Sequence, residues 1–259
     1  MMSSNHPITD WSTQRVWLIG ASSGIGAALA QQLHARGAHV ALSARRVNSL
    51  EQQVAALGSA RACALPLDVT DAPSVARAEQ ALVARWGAYD LVVLLAGDYL
   101  PQSVTAFELE RARQIVETNL TGVYNTLAVV LPRLLAAGHG GLALVSSVAG
   151  YRGLPRSLVY GPTKAALNNL AEALYLELHG RGLNVYLINP GFVRTPLTAA
   201  NPFPMPALMD APDAALAILT GFAHGRFEIH FPRRFTLVMK CLALLPHALY
   251  LPLVRWLTR

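Results

Sequence analysis

The chain has 259 residues, of which 53% are hydrophobic and 14% are charged, and its mean hydropathy is +0.35. This composition excludes an intrinsically disordered chain and provides the apolar side chains of a large buried core. The formal net charge is +6, but five basic residues follow the last acidic residue, Glu228, so most of the excess lies in one terminal segment. That distribution disfavours a nucleic-acid-binding protein, in which basic residues line a groove.

Short β-rich runs alternate with longer helical patterns, which predicts an α/β fold: a single-domain, doubly wound (Rossmann-like) parallel sheet of about seven strands with helices on both faces. The predicted elements, in chain order, are strand 15–19, helix 24–36, strand 38–43, helix 47–57, strand 62–67, helix 71–86, strand 90–95, helix 106–137, strand 141–146, helix 157–179, strand 183–189, helix 210–223 and strand 226–231. A proline-rich loop follows Pro190. We expect one catalytic domain over residues 15–232, with a polar N-terminal tail (1–14) and an apolar, basic extension (233–259).

Several protein classes are disfavoured by the distribution of particular residues. Cys63 and Cys241 are far apart and form no CxxC motif, so we expect a protein of the reducing cytoplasm without a disulfide framework. The eight histidines lack the spacing of metal ligands, and we expect no metal site. Residues 1–15 lack the apolar centre of a signal peptide, and no run of eighteen apolar residues predicts a membrane span.

Three glycines, Gly20, Gly24 and Gly26, stand between the first predicted strand and the first predicted helix. Glycine permits a tight turn and a close approach of the backbone to a ligand. The free N–H groups and the dipole at the start of the helix attract a diphosphate. The GxxxGxG spacing in this context predicts a dinucleotide-binding turn.

The end of the second predicted strand indicates which dinucleotide binds. A carboxylate there would bind the ribose 2′-hydroxyl and repel a 2′-phosphate, but the chain has Ser43-Ala44-Arg45-Arg46. Guanidinium groups pair with phosphate in a bidentate manner, so Arg45 and Arg46 favour NADP(H) over NAD(H). The alternative is that both arginines are solvated at a helix start.

Tyr160 and Lys164 are separated by four residues and therefore share one face of a predicted helix. An ammonium about 4 Å from the phenol, at an effective dielectric constant of about 20, contributes about 4 kcal/mol, or roughly three pKa units. We therefore expect the pKa of Tyr160 to fall towards neutrality, where acid–base catalysis is most effective. The alternative is a surface pair.

Ser147 ends a predicted strand and can hydrogen-bond a carbonyl oxygen, and Asn119 lies within a helix, where a buried amide needs a partner.

Together these residues resemble, in order and spacing, the motifs of the short-chain dehydrogenase/reductase family over residues 15–196. The resemblance implies that Asn119, Ser147, Tyr160 and Lys164 form a catalytic tetrad. It implies a cofactor-binding set consisting of Gly20, Ser22, Ser23, Gly24, Ile25, Gly26, Arg45, Arg46, Asp68, Val69, Ala96, Gly97, Tyr160, Lys164, Pro190, Gly191, Val193 and Thr195.

The resemblance also implies the chemistry: hydride transfer between NADP(H) and the carbonyl or secondary alcohol of a small, hydrophobic substrate. Tyr160 exchanges the proton, Lys164 lowers the tyrosine pKa and binds the ribose hydroxyls, Ser147 holds the carbonyl, and Asn119 positions a water. A homodimer or homotetramer is expected. The chain departs from the family pattern at two sites, Leu94-Leu95 and Ile19. We expect these departures to alter stability or cofactor affinity rather than remove catalysis.

The C-terminal extension, from Phe235 to Leu257, is apolar nearly all round and is interrupted by Pro246 and Pro252. It is too short on either side of Pro246 to span a bilayer. Three roles remain open: a subunit interface, a lid over an apolar substrate, or peripheral contact with an anionic membrane on its cytoplasmic face. The alternatives to an enzyme are a catalytically silent NADP(H)-binding regulatory protein and a membrane-associated scaffold.

Overall fold

The computed structural model describes residues 4–199, 201 and 203–258. Parts of three predicted segments lie outside the described residues: positions 1–3 of the polar tail, positions 200 and 202 of the proline-rich loop, and Arg259 of the basic extension.

Seven of the strands in the described residues form one parallel sheet, which confirms the predicted fold class. The strands are β1 (Arg15–Ile19), β2 (His39–Ser43), β3 (Ala62–Ala64), β4 (Leu91–Leu94), β5 (Gly141–Val145), β6 (Asn184–Pro190), β7 (Val193–Arg194), β8 (Met209–Asp210) and β9 (Glu228–Phe231). The order across the sheet is β3-β2-β1-β4-β5-β6-β9, and β7 pairs with β8 in a small separate sheet. The order reverses between β1 and β4, and open parallel sheets bind ligands beyond the carboxyl ends of the strands at such a point.

Helices cover both faces of the sheet. They are α1 (Gly24–Ala35), α2 (Val47–Leu57), α3 (Ala72–Trp86), α4 (Leu109–Val116), α5 (Gly122–Ala137), α6 (Tyr160–Leu178), α7 (Ala211–Ala223), α8 (Arg233–Ala243) and α9 (His247–Leu257). Because successive strand side chains point to opposite faces, Val16 and Leu18 of β1 pack with α1, α2 and α7, whereas Trp17 and Ile19 pack with α3, α5 and α6.

Three predicted elements differ from the observed ones. The third strand ends at Ala64 rather than at residue 67, where Pro66 lacks the N–H that a ladder needs. The helix predicted over 106–137 consists of α4, a π-helical turn (Glu117–Thr121) and α5. The helix predicted from residue 157 begins at Tyr160, because Ser157 instead forms an isolated bridge with Gln102.

Residues 4–14 cross the amino-terminal end of the sheet and pack against it. The Asn5 side chain donates to the carbonyl of Val185 at 2.8 Å and accepts from its N–H at 3.0 Å. Trp11 is buried against Phe222 of α7, with ring centroids 5.8 Å apart. This segment therefore fastens β6 to α7.

One helical segment among the described residues, Leu109–Ala137, is long and apolar enough by length and composition to cross a membrane. The charged residues of α4 interrupt this segment, which is why the sequence shows no uninterrupted run of eighteen apolar residues there. In the fold its α5 part packs on α3 and on the sheet through buried Val123, Leu127, Val130 and Leu134.

The C-terminal extension forms α8 and α9, which pack on the catalytic domain. Lys240 is ion-paired with Glu228 at the start of β9. Arg152, in the loop after β5, donates to the carbonyl of Ala243 at 2.9 Å and also to that of Leu245. Tyr250 is buried and donates to the carbonyl of Gly153 at 2.7 Å. The extension is thus attached to the loop between β5 and α6.

Candidate active site

A cavity of about 540 Å³ opens at the carboxyl ends of β1, β4, β5 and β6. Except for Asn119, every residue of the predicted cofactor-binding and catalytic sets lines it: Gly20, Ser22, Ser23, Gly24, Ile25, Gly26, Arg45, Arg46, Asp68, Val69, Ala96, Gly97, Ser147, Tyr160, Lys164, Pro190, Gly191, Val193 and Thr195. Residues separated by as many as 175 positions in the chain therefore line one cleft.

The glycine positions of the turn between β1 and α1 leave no room for a side chain. Gly20 has φ of 103°, and a Cβ there would lie 2.4 Å from the backbone nitrogen of Ala96. A Cβ on Gly26 would lie 2.4 Å from the carbonyl oxygen of Gly20. Ser23 caps α1 without a side-chain hydrogen bond, and the first turn carries no acidic residue. The first N–H groups of α1 are consequently available to an anion.

The rim of the cavity beyond β2 is basic. Arg45 and Arg46 are exposed, and the Arg46 guanidinium donates to the hydroxyls of Ser22 and Ser23, both at 3.0 Å. The hydroxyl of Ser43, at the end of β2, is buried; it accepts from Trp17 Nε1 and donates to the carbonyl of Leu65. Cationic and hydroxyl groups thus stand where a carboxylate would select the unphosphorylated ribose.

Asp68 and Val69, after β3, form another part of the cavity wall. Asp68 Oδ1 accepts from both the N–H (2.9 Å) and the hydroxyl (2.8 Å) of Thr70, which holds the local turn. The carbonyl of Val69 accepts from Asn125 Nδ2 at 2.9 Å, and a Cβ on Gly122 would lie 2.7 Å from Val69 Cγ2. The start of α5 therefore fixes this wall.

Asn119 lies in the π-helical turn, fully buried behind the wall of the cavity. Its Oδ1 accepts from the N–H of Asp98 at 2.7 Å, and its Nδ2 donates to the carbonyl of Asp98 at 2.9 Å and to the hydroxyl of Thr163 at 3.2 Å. The amide thus joins the segment that follows Gly97 to the helix that carries Tyr160. π-Helical turns of this kind are frequent at functional sites.

Lys164 is buried, and its Nζ donates to the carbonyl of Val145 at 3.0 Å. The ammonium lies 5.5 Å from the centroid of the Tyr160 ring. A Cβ on Gly97 would lie 3.7 Å from Lys164 Nζ and 3.5 Å from Asn119 Oδ1, so these two side chains approach the same backbone position. Burial lowers the pKa of Lys164 to about 8, because the charged amine loses its hydration.

The expected acidification of Tyr160 is wrong for this structure. Burial raises the pKa of Tyr160 to about 12, while hydrogen bonding to the Ser147 hydroxyl acts in the opposite direction. Lys164 donates to the carbonyl of Val145 rather than to the phenol oxygen, and the ring of Tyr99 packs edge-on against Tyr160 with centroids 4.8 Å apart. The phenol is therefore protonated at neutral pH.

Ser147 and Ser146 are distinguished by their hydrogen bonds. The hydroxyl of Ser146 is buried and donates to the carbonyl of Lys164 at 2.7 Å, which fastens β5 to α6. The hydroxyl of Ser147 accepts from the N–H of Ala149 at 3.1 Å, and its proton can be donated to Tyr160, with which it hydrogen-bonds, or to a ligand in the cavity. This difference agrees with the choice of Ser147 rather than Ser146 for the tetrad.

The segment after β6 closes the cavity. Val193 forms part of β7, and a Cβ on Gly24 would lie 2.9 Å from Thr195 Cγ2. A Cβ on Gly191 would lie 2.9 Å from Cδ1 of Phe235 in α8. The C-terminal extension therefore packs directly against this segment.

A family model described as short chain dehydrogenase matches residues 14–203. The chain belongs to the short-chain dehydrogenase family. The resemblance inferred from the motifs is thereby confirmed, and the protein is an oxidoreductase of this family. The comparisons give no support to a catalytically silent regulatory protein or a scaffold.

Relatives and solved structures share almost the full length of this short-chain dehydrogenase. An uncharacterized oxidoreductase of Myxococcus xanthus is 37% identical over 245 residues, or 94% of this chain and 97% of the relative. A short-chain dehydrogenase from Streptomyces avermitilis has a TM-score of 0.81 and 27% identity, covering 95% of this chain and 97% of that one. One from Sphingobium yanoikuyae, in complex with NADPH, has a TM-score of 0.77 and 26% identity, covering 87% and 92%.

Sequence reasoning missed several residues around this site. Asp98 Oδ1 accepts from Arg111 at 2.7 Å, Tyr99 packs on Tyr160, and Tyr151 donates to Glu228 at 2.6 Å. The signal for the first two was their position directly after Gly97. The link from Tyr151 to Glu228 joins residues 77 positions apart, and no local pattern indicates it.

The two departures from the family pattern serve the core. Ile19 and Leu94 are buried in the layer beneath α3, α5 and α6, and Leu95 packs against the layer of α1, α2 and α7. The N–H of Leu95 donates to the carbonyl of Ile19 at 2.7 Å and so extends the pairing of β1 with β4.

Proposed function

We propose that this short-chain dehydrogenase transfers hydride between NADP(H) and a carbonyl group or secondary alcohol of a small hydrophobic substrate. One observation carries the proposal: a single cavity is lined both by the glycine turn of β1–α1 with Arg46 and by Ser147, Tyr160 and Lys164. A dinucleotide has this same division between a diphosphate and a reactive ring.

The residues present fit NADP(H). The uncapped start of α1 and the turn at Gly20 and Gly24 would hold the diphosphate, and Asp68 and Val69 the adenine side. Arg46, supported by two serine hydroxyls, would bind the 2′-phosphate together with Arg45. The NADPH complex of the Sphingobium yanoikuyae neighbour supports the choice of cofactor class.

The bound nicotinamide supplies or accepts the hydride, and the chain supplies the proton. Ser147 donates a hydrogen bond to the substrate oxygen, and the Tyr160 hydroxyl gives its proton to that oxygen in reduction or removes it in oxidation. Lys164 supplies positive charge beside the tyrosine and binds ribose hydroxyls. Asn119 holds the backbone after Gly97 and α6 at a fixed separation through its bonds to Asp98 and Thr163.

The protonated hydroxyl of Tyr160 is the form that acts in carbonyl reduction. Because burial raises the pKa of Tyr160 to about 12, this acid form predominates at neutral pH. Alcohol oxidation uses the phenolate, so its rate should rise with pH.

Apolar side chains in and beside the cavity support an apolar substrate. Leu197 lines the cavity and is 40% exposed, and Leu158, two residues before α6, is 42% exposed. Phe192, next to the cavity-lining Gly191, packs against Phe203 and Phe235, with centroid distances of 6.1 Å and 5.5 Å. These side chains favour ketones and aldehydes with apolar substituents.

The test is oxidation of NADPH and of NADH with a panel of apolar ketones and aldehydes. We expect NADPH to be preferred and Tyr160→Phe to lose turnover while still binding NADPH. Arg46→Asp should lower kcat/KM for NADPH at least about tenfold, because a charge-assisted contact is lost, whereas Arg181→Asp, an equal charge change outside the cavity, should not. Turnover in Tyr160→Phe, or equal losses in both arginine variants, would contradict these assignments.

We also propose a cytoplasmic homodimer or homotetramer. Self-association is supported by exposed apolar side chains on α4, α5 and α6: Val116, Tyr124 and Leu176. Cys63 is buried and Cys241 is exposed, and neither is in a disulfide, which agrees with a reducing compartment. Light scattering of the purified protein tests the assembly: a monomer at all concentrations would contradict it.

A further inference from the structure

The two C-terminal helices leave large apolar side chains uncovered. Leu244, between the helices, is 85% exposed, and Trp256 is 68% exposed. We call the exposed apolar set of this extension the hairpin face; its members are Leu237, Val238, Leu244, Leu249, Leu251, Trp256 and Leu257. Contiguous exposed apolar surface in a folded protein marks a site of interaction.

The hairpin face lies away from the domain, because the other sides of α8 and α9 both contact the loop at residues 151–153. In α8, Lys240 lies 5.8 Å from the ring centroid of Tyr151, and Arg152 donates to the carbonyl of Ala243. In α9, Tyr250 donates to Gly153 and stacks under the Arg152 guanidinium at 4.1 Å.

Helical spacing separates the two sides. Leu237 of α8 and Leu244 directly after it are seven residues apart and share one side, as do Leu249 and Trp256 of α9. Val238, Leu251 and Leu257 widen the uncovered surface around the two helices. Each helix is thus amphipathic, with one side held by the loop at residues 151–153 and an apolar side left uncovered.

The charges beside the hairpin face are all positive. Arg233, Arg234 and Arg255 are exposed, no acidic residue follows Glu228 in the sequence, and Glu228 is itself ion-paired with Lys240. Arg233 and Arg234 begin α8, where the helix dipole disfavours cations, so they do not serve the stability of that helix.

We propose that the hairpin face binds the anionic surface of a lipid bilayer, on its cytoplasmic side. The apolar side chains enter the boundary between headgroups and acyl chains, Trp256 occupies the interface that favours its amphipathic ring, and the arginines pair with lipid phosphates. A second copy of the same face fits less well, because face-to-face pairing would bring two sets of arginines together with no carboxylate between them.

Flotation of the full chain with vesicles tests this proposal without reference to catalysis. The probes are vesicles of phosphatidylcholine alone and of phosphatidylcholine mixed with phosphatidylglycerol, at low and high salt. We expect binding to the mixed vesicles only, and loss of binding at high salt because charge attraction is screened.

Two pairs of matched variants separate the apolar and charged contributions. Arg233→Gln with Arg234→Gln should weaken binding to mixed vesicles about thirtyfold, which corresponds to about 2 kcal/mol for two basic residues at the surface. Arg77→Gln with Arg181→Gln removes the same charge from exposed positions elsewhere and should change binding little.

Leu244→Ser with Trp256→Ser should abolish flotation, while Phe107→Ser with Val104→Ser, which are 51% and 82% exposed outside the extension, should not. Retained NADPH binding and an unchanged unfolding midpoint establish that each variant is folded. Equal flotation of all variants overturns the proposal. Two other outcomes overturn it if the Leu244 and Trp256 changes leave flotation intact. A reduced oligomer size would identify the hairpin face as a subunit interface. A raised KM for the carbonyl substrate in the absence of lipid would identify it as a lid.

Discussion

Replacement of Lys164 by methionine should stabilise the fold, although Lys164 lies at the centre of the site. The lysine is buried, and its pKa is lowered from 10.5 to about 8 because its charge is poorly hydrated. Since one pKa unit corresponds to about 1.4 kcal/mol, the burial of the charged amine costs roughly 3 kcal/mol at neutral pH. Methionine has a similar length and no charge to bury.

The expected gain is smaller than this cost because a hydrogen bond is also lost. Lys164 Nζ donates to the carbonyl of Val145 at 3.0 Å, and an unpaired buried carbonyl costs about 1 kcal/mol. We therefore expect Lys164→Met to raise the free energy of unfolding by about 2 kcal/mol at neutral pH, with loss of catalysis.

Urea unfolding at several pH values measures the effect and its cause. Between pH 8 and 10.5 the unfolded wild-type chain binds more protons at residue 164 than the folded chain does, so wild-type stability rises with pH across this window. The variant lacks this titration. Its advantage should therefore be greatest below pH 8 and decline as the pH approaches 10.5.

Lys240, the only other lysine, provides the control. Lys240→Met should destabilise the protein, because it leaves the Glu228 carboxylate without its cation. A less stable Lys164→Met protein at neutral pH, or a difference that does not depend on pH, would refute the reasoning from burial.

Three further outcomes are expected from the geometry of the site. Asn119→Ala should lower the free energy of unfolding by about 1–3 kcal/mol in urea titrations, because two buried backbone groups lose their partner; a smaller loss would mean that they find another. Gly26→Ala should weaken NADPH binding in calorimetry, because its Cβ would lie 2.4 Å from a backbone oxygen of the same turn, whereas Gly180→Ala, with no atom within 4 Å, should bind normally. The rate of alcohol oxidation should rise steadily with pH above neutrality, because burial raises the pKa of Tyr160 to about 12; a plateau near neutral pH would contradict that pKa.

The candidate catalytic residues show which features of the site the sequence indicates and which it does not. The spacing of Tyr160 and Lys164 placed them on one helix face, and the structure brings both into the cavity. The spacing did not indicate that Lys164 donates to the carbonyl of Val145, nor that Asn119 occupies a π-helical turn. Those features depend on neighbouring strands that are distant in the chain.

The C-terminal extension shows the same division. Its apolar composition and excess of arginine were evident from the sequence, but its two helices and their attachment to Arg152 and Tyr151 were not. Contacts between residues about 90 positions apart cannot be recognised in the sequence, because the pattern around each residue reflects only its own helix or loop.

The sequence by itself determined the alternation of strands and helices, the glycine turn at the start of α1 and the residues proposed to transfer the proton. Each of these follows from local backbone preference and from the periodicity of apolar residues. Only the tertiary structure decided the ionisation of Tyr160 and Lys164 and which apolar surface of the extension remains uncovered. Hydration and exposure depend on what the rest of the folded chain places over a group, and one-dimensional spacing does not contain that information.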